Sequence, residues 1–208
     1  MNKEQLIAFE KDIEEKWNKG LIHCPVHFCG GNEVQLIGYF NEHVKPNDWI
    51  LSTWRNHYHW LLATEDEQFL LNKILKENNS MHIIDLKRKF ISTAIVGGNA
   101  AMAVGIAKAI KLNGGKEKVH CFIGDGGCDS GWFWEALRYA RGNDLNIKFI
   151  IENNNRSVCT DIKTRWGEKD NLRLNLESMG YMKDEKIYYY EYIAQYPHCG
   201  TNTFVRFM

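Results

Sequence analysis

Two short apolar runs, Val119 to Ile123 and Ile147 to Ile151, flank a segment in which Phe133, Ala136, Leu137 and Ala140 recur at i, i+3, i+4 and i+7. Runs of this length, nearly unbroken by polar residues, are the pattern of strands buried on both faces of a parallel sheet. The spacing between them predicts a helix, with Asp129 or Ser130 placed to cap its start and Gly142 to end it. A right-handed crossover brings both strand ends to one edge. Asp125 and Asn154, 29 residues apart, then become neighbours in the crevice where open α/β sheets bind ligands.

The rest of the chain fits around this unit. MNKEQLIAFEKDIEEKW at the start is a charged amphipathic helix, and residues 66 to 78 carry a helical stripe of Phe69, Leu70, Ile74 and Leu75 that reads as core. Pro46-Asn47-Asp48 is a turn. Asn99 to Leu112 is an alanine-rich helix whose small side chains suit close packing, inside the chain or against another subunit. Asp170 to Met179 reads as a helix, and KIYYYEYIAQ and FVRF read as strands. The fold class is therefore α/β, a three-layer, mostly parallel sheet with helices on both faces, in one domain spanning 1–208.

Composition narrows the function without naming it. With 208 residues, 44% of them hydrophobic, the chain can bury one sizeable core. Its 26 basic and 26 acidic side chains cancel, which argues against nucleic acid or an anionic membrane as the main partner. There is no run of about twenty apolar residues, and the opening helix does not read as a signal sequence, so the expected location is cytoplasmic. Six cysteines (24, 29, 121, 128, 159 and 199) then read as reduced thiols. His23, Cys24, His27 and Cys29 suggest zinc, but no second ligand pair of suitable spacing accompanies them.

The polar residues at the two strand ends carry the candidate chemistry. Mg²⁺ takes about six oxygen ligands, shared with substrate phosphates. The Asp125 carboxylate, the Asn154 amide oxygen and a nearby main-chain carbonyl would supply half of them. Gly126 and Gly127 present unobstructed N–H groups to phosphate oxygens. Other phosphate loops fit less well, because Asp129 stands where a dinucleotide fingerprint needs glycine and no Gly-Lys-Ser/Thr ending is present.

The run from Gly124-Asp125-Gly126 to Asn153-Asn154 resembles the thiamine diphosphate motif. It is most similar to the α subunit of 2-oxoacid dehydrogenase first components, of the pyruvate and acetoin type. Gly131, Glu135-Ala136 and Glu152-Asn153-Asn154 up to Thr160 keep that family's register. The likeness implies a thiamine diphosphate-binding fold, with Mg²⁺ held by Asp125, Asn154 and the carbonyl of Arg156. His27 falls on the family histidine near the reacting carbon, although Gly31-Asn32-Glu33 replaces its Gly-Gln-Glu. Trp54, Arg55 and His57 fall on an aromatic-Arg-x-His segment, with Arg55 toward the diphosphate and Trp54 in place of a tyrosine. His59 matches a second histidine of acetoin-type relatives. Main-chain groups of Ala94 and Val96 would bond the aminopyrimidine ring. A helix-capping role for His27 and a surface position for Arg55 are the plainer alternatives.

The resemblance covers roughly Leu21 to Trp166 and fades past Thr160, where no His-Gly-His loop follows. It implies a C-terminally shortened, diphosphate-binding half, completed by a β-type subunit that carries the pyrimidine-binding domain and its activating glutamate. The implied reaction is decarboxylation of a 2-oxoacid with transfer of the acyl unit to an acceptor. Half of a split transketolase-like enzyme acting on a ketose, or a noncatalytic scaffold, are the alternatives. The missing loop argues against delivery to a lipoyl carrier, and His198 is the one tail histidine able to stand in for it.

Overall fold

The computed structural model describes residues 1–167 and 171–201. In chain order the elements are α1 (Lys3–Asn18), α2 (Glu33–His43), β1 (Trp49–Ser52), α3 (His57–Thr64), α4 (Glu67–Leu75), β2 (Ile84–Asp85), β3 (Phe90–Ser92), α5 (Gly98–Leu112) and β4 (Val119–Gly124). There follow α6 (Asp125–Cys128), α7 (Gly131–Gly142), β5 (Ile147–Asn153), β6 (Arg156–Ser157), β7 (Thr160–Asp161), α8 (Ile162–Trp166), α9 (Leu172–Ser178) and β8 (Ile187–Glu191). Six strands form one sheet in the order β2-β3-β1-β4-β5-β8. All neighbours are parallel except β2 and β3.

Alternation along the central strands builds the three layers. On β4 and β5, Val119, Cys121, Ile123, Ile147, Phe149 and Ile151 face the buried cluster under α5, α7 and α9, while Phe122 and Ile150 face the cluster under α1 to α4. His120 is fully buried on the second face because both ring nitrogens are used: Tyr39 O–H donates to Nδ1 at 2.6 Å and Nε2–H donates to Asp48 at 3.1 Å. The alanine-rich helix turns Ala100, Ala103 and Ala107 inward onto α7 and β4, so its small residues serve packing within the chain. No helix among the described residues is long and apolar enough to cross a membrane.

Three expectations are refined. Ser130 is the N-cap of α7, but its hydroxyl donates to Gly127 O at 2.7 Å rather than accepting a helix N–H. The stretch KIYYYEYIAQ stays in the sheet only to Glu191, where β5 ends beside it at Asn153. Residues 192–201 then cross the layer edge and run against residues 26–31, with Gln195 N–H on Gly30 O at 3.2 Å and Gly200 N–H on Val26 O at 2.9 Å. FVRF lies outside the described residues, as does Asp170, so the described part of the expected tail helix begins at Leu172.

This crossing segment sits hard against the chain's first third. Gly31 has φ +107°, and a Cβ there would lie 2.2 Å from the main-chain oxygen of Ile193. Gly31→Ala should therefore cost about 3 kcal/mol, backbone strain and displacement of the 192–201 segment together. Urea unfolding measures it, and a loss under about 0.5 kcal/mol would show that the segment is not packed there.

Candidate active site

The strand register assembles the site. Gly124 pairs with Glu152 across β4 and β5, so the chain leaves both strands at one edge of the sheet. After β4 it turns at once into α6, and after β5 into the β6–β7 hairpin. Gly127 permits the turn, because a Cβ there would meet Ile123 Cγ1 at 2.6 Å. A cavity of about 330 Å³ opens at this edge, large enough for a small cofactor.

Asp125 and Asn154 converge on the same donor. The main-chain N–H of Arg156 donates to Asp125 Oδ2 and to Asn154 Oδ1, each at 3.0 Å. In the antiparallel hairpin, Ile162 N–H reaches Asn155 O at 3.2 Å, which makes Arg156 and Asp161 a non-hydrogen-bonded pair. The Arg156 N–H and C=O therefore both point away from β7, on the side of Asp125 and Asn154. Asp125 is only 5% exposed, and burial, reinforced by Asp129, pushes its carboxyl up to about 7. One carboxylate, one amide oxygen and one carbonyl on a common side are a hard oxygen donor set, and a cation there would offset the desolvation of Asp125. A Cβ added at Gly126 would meet nothing closer than Ser157 Oγ at 3.9 Å, which leaves a phosphate oxygen room to approach. The residues present therefore fit a divalent cation bridging to a phosphate.

The other expected residues divide. His27, Trp54, Arg55, Ala94, Val96, Gly126, Gly127 and Arg156 line the cavity with Asp125 and Asn154, and His198 joins them. His57 and His59 do not line it. His57 is fully buried beneath the site, its Nδ1–H donating to Glu10 at 3.1 Å and its Nε2 accepting from Ser80 at 3.0 Å. His59 stacks on Phe122 at 4.1 Å and reaches the cavity only through Glu152, 3.2 Å from its Nε2. Neither imidazole faces the cavity, because buried carboxylates draw both inward. Arg55 is turned to main-chain acceptors, Phe28 O and, at 3.4 Å, His198 O, while still facing the cavity.

His27 is altered in kind. It is 6% exposed, its ring lies 4.7 Å from that of His198 and 6.1 Å from Trp54, and its Nδ1 has no hydrogen-bond partner among the described residues. Trp54 Nε1 is likewise buried without a partner. Burial, then His198 and Arg55, push the His27 imidazole down to about 3, and burial with Arg55 pushes His198 down to about 4. At neutral pH both are uncharged donors and acceptors, not acids near their own pKa.

Sequence reasoning passed over Glu152, Ser157, Arg165 and Tyr192, which also line the cavity. Tyr192 accepts from Asn154 Nδ2 at 3.3 Å. Glu152 was within reach, since it ends the apolar run of β5 two residues before Asn154. Tyr192 and His198 arrive on the 192–201 segment, which no local pattern ties to the motif.

A family model described as "Dehydrogenase E1 component" matches residues 1–170. The chain is 30% identical over 165 residues to the alpha subunit of acetoin:2,6-dichlorophenolindophenol oxidoreductase from Bacillus subtilis (strain 168), covering 75% of this chain and 49% of that protein. The protein of the same name from Cupriavidus necator is 31% identical over 161 residues, 73% and 48% of the two. The pyruvate dehydrogenase E1 component subunit alpha of Rickettsia prowazekii (strain Madrid E) is 30% identical over 166 residues, 76% and 51% of the two. The chain spans about half the length of the curated relatives it matches.

The depressed imidazoles give a pH signature. Between the ordinary value of 6.5 and about 4, the unfolded chain takes up protons that the folded chain excludes from His27 and His198. The contribution of these two imidazoles is therefore complete above pH 6.5 and is lost as pH is lowered through that window, while the raised Asp125 carboxyl, protonated in the folded chain below about 7, acts in the opposite sense. Urea midpoints of the native chain minus those of His27→Gln, taken at pH 7, 6, 5 and 4, should fall in step as pH is lowered, because Asp125 is common to both. A His27→Gln slope equal to that of the native chain would contradict the assignment.

Proposed function

The chain belongs to the dehydrogenase E1 component family, and on that premise we propose that it is an α-type subunit of a thiamine diphosphate- and Mg²⁺-dependent enzyme. In this reading the enzyme decarboxylates a 2-oxoacid and passes the acyl unit to an acceptor. The observation that carries the proposal is the convergence of Asp125 and Asn154 on the Arg156 main chain at the cavity edge. Asp125, Asn154 and the Arg156 carbonyl would hold Mg²⁺, and the N–H groups of Gly126 and Gly127 with Arg55 would face the diphosphate. Main-chain groups of Ala94 and Val96 would flank the aminopyrimidine.

Thiamine diphosphate, when bound, would supply a nucleophilic carbon and a cationic ring able to take up the electron pair left by C–C cleavage. This chain's part is placement. His27, uncharged at neutral pH and with Nδ1 unpartnered, is a donor or acceptor for a substrate oxygen next to the reacting centre. Trp54, Ala94 and Val96 are apolar parts of the cavity lining. The carboxylate that activates the aminopyrimidine comes, in this proposal, from a β-type partner carrying the pyrimidine-binding domain.

Two measurements test the reading. In calorimetry the chain should bind thiamine diphosphate only with Mg²⁺ present, and Asp125→Ala or Asn154→Ala should weaken binding at least about 100-fold. Alone it should not decarboxylate 2-oxoacids, and it should gain that activity with its partner. Mg²⁺-independent binding, or turnover by the isolated chain, would refute the respective half.

A further inference from the structure

Among the oxygen donors gathered past the ends of β4 and β5, only Asn154 can present the wrong atom. The Asp125 carboxylate offers an oxygen either way round, and the Arg156 carbonyl is set by the hairpin backbone. The Asn154 carboxamide carries an oxygen on one arm and an NH₂ group on the other. A half-turn about its last bond would aim a donor where a cation needs an acceptor. Two contacts hold it the right way: the main-chain N–H of Arg156 donates to Oδ1 at 3.0 Å, and Nδ2 donates to the Tyr192 hydroxyl at 3.3 Å.

The two contacts are not equivalent. The Arg156 N–H is divided, since it also donates to Asp125 Oδ2 at 3.0 Å. The Tyr192 oxygen takes the opposite arm of the amide and leaves Oδ1 open to a ligand. Tyr192 is itself firmly placed. Its main-chain N–H donates to Asn153 O at 2.9 Å, one residue beyond the pairing of Asn153 with Glu191 that ends the sheet here. Its ring lies 6.0 Å from that of Tyr190 and packs on the buried cluster under α1 to α4. Tyr192 also lines the cavity. The 192–201 segment thus brings a hydroxyl to a side chain 38 residues earlier in the sequence.

We propose that Tyr192 is the positioning residue of Asn154, its hydroxyl oxygen accepting from Nδ2 so that Oδ1 stays turned toward the cation. The inference rests on the function proposed above, which supplies the cation, and it gives the 192–201 segment a part in metal binding. Phenylalanine at this position would keep the ring and its packing and remove only the acceptor.

The test is a double-mutant cycle read by calorimetry, with Mg²⁺ titrated into the full chain in the presence of inorganic diphosphate. Tyr192→Phe should weaken Mg²⁺ binding about tenfold while the urea midpoint changes little. In an Asn154→Asp background either oxygen of the carboxylate serves the cation, so Tyr192→Phe should cost nothing further there. Equal losses in the two backgrounds would make Tyr192 a structural prop alone, and an undiminished affinity in Tyr192→Phe would show Asn154 oriented without it. Either result overturns the inference while leaving the proposed function standing. Failure of the native chain to bind Mg²⁺ with diphosphate overturns both. Should Asn154→Asp not fold or not bind Mg²⁺, Tyr192→Phe decides by itself: a tenfold loss at nearly native stability upholds the inference, and no loss, or a loss matched by destabilisation, overturns it.

Discussion

One register, Gly124 beside Glu152, decides where the polar residues of the site end up. Two parallel strands in this pairing deliver their next residues to a common edge, which sets Asp125 and Asn154 about one main-chain N–H. A slip by one residue would turn Glu152 to the opposite layer and part Asn154 from Asp125. The apolar residues of β4 and β5, divided between two buried clusters, hold the register. Hydrophobic packing on both faces of the sheet thus sets the geometry of the polar residues at its edge.

Two buried acids explain the second level of organisation. Glu10, on α1, accepts the Cys29 N–H at 2.8 and 3.0 Å and the His57 ring, tying the opening helix to the loop that carries His27. Glu152 plays the corresponding part on the other side of α3, taking His59. The two histidines of α3 are therefore anchored to α1 and to β5, and α3 is held by both. Arg55, just before that helix, is placed by the same fixation.

What could be read from the chain followed from how local the signal was. The crossover, its two strands, the helix between them and the pair Asp125 and Asn154 are encoded within some thirty-five residues of alternating and helical pattern, and all appear in the structure. His57 and His59 were legible as residue types on a helix but not as directions, because their partners Glu10 and Glu152 lie 47 and 93 residues away. The imidazole of His27 was legible, while its loss of basicity was not, since that depends on burial and on His198 arriving from the far end of the chain. The end of β8 at Glu191 was hidden for a similar reason: the tyrosine-rich run favours a strand as far as its neighbour offers a partner, and β5 stops first.

The 192–201 segment brings Tyr192 and His198 to the cavity and packs Tyr196 against Phe28 at 4.8 Å. During translation, the helices and inner strands can collapse while this segment is still inside the ribosome. The wall it forms closes only after residue 200 has emerged and met residue 26. A nascent chain accordingly exposes its binding cleft until that segment arrives.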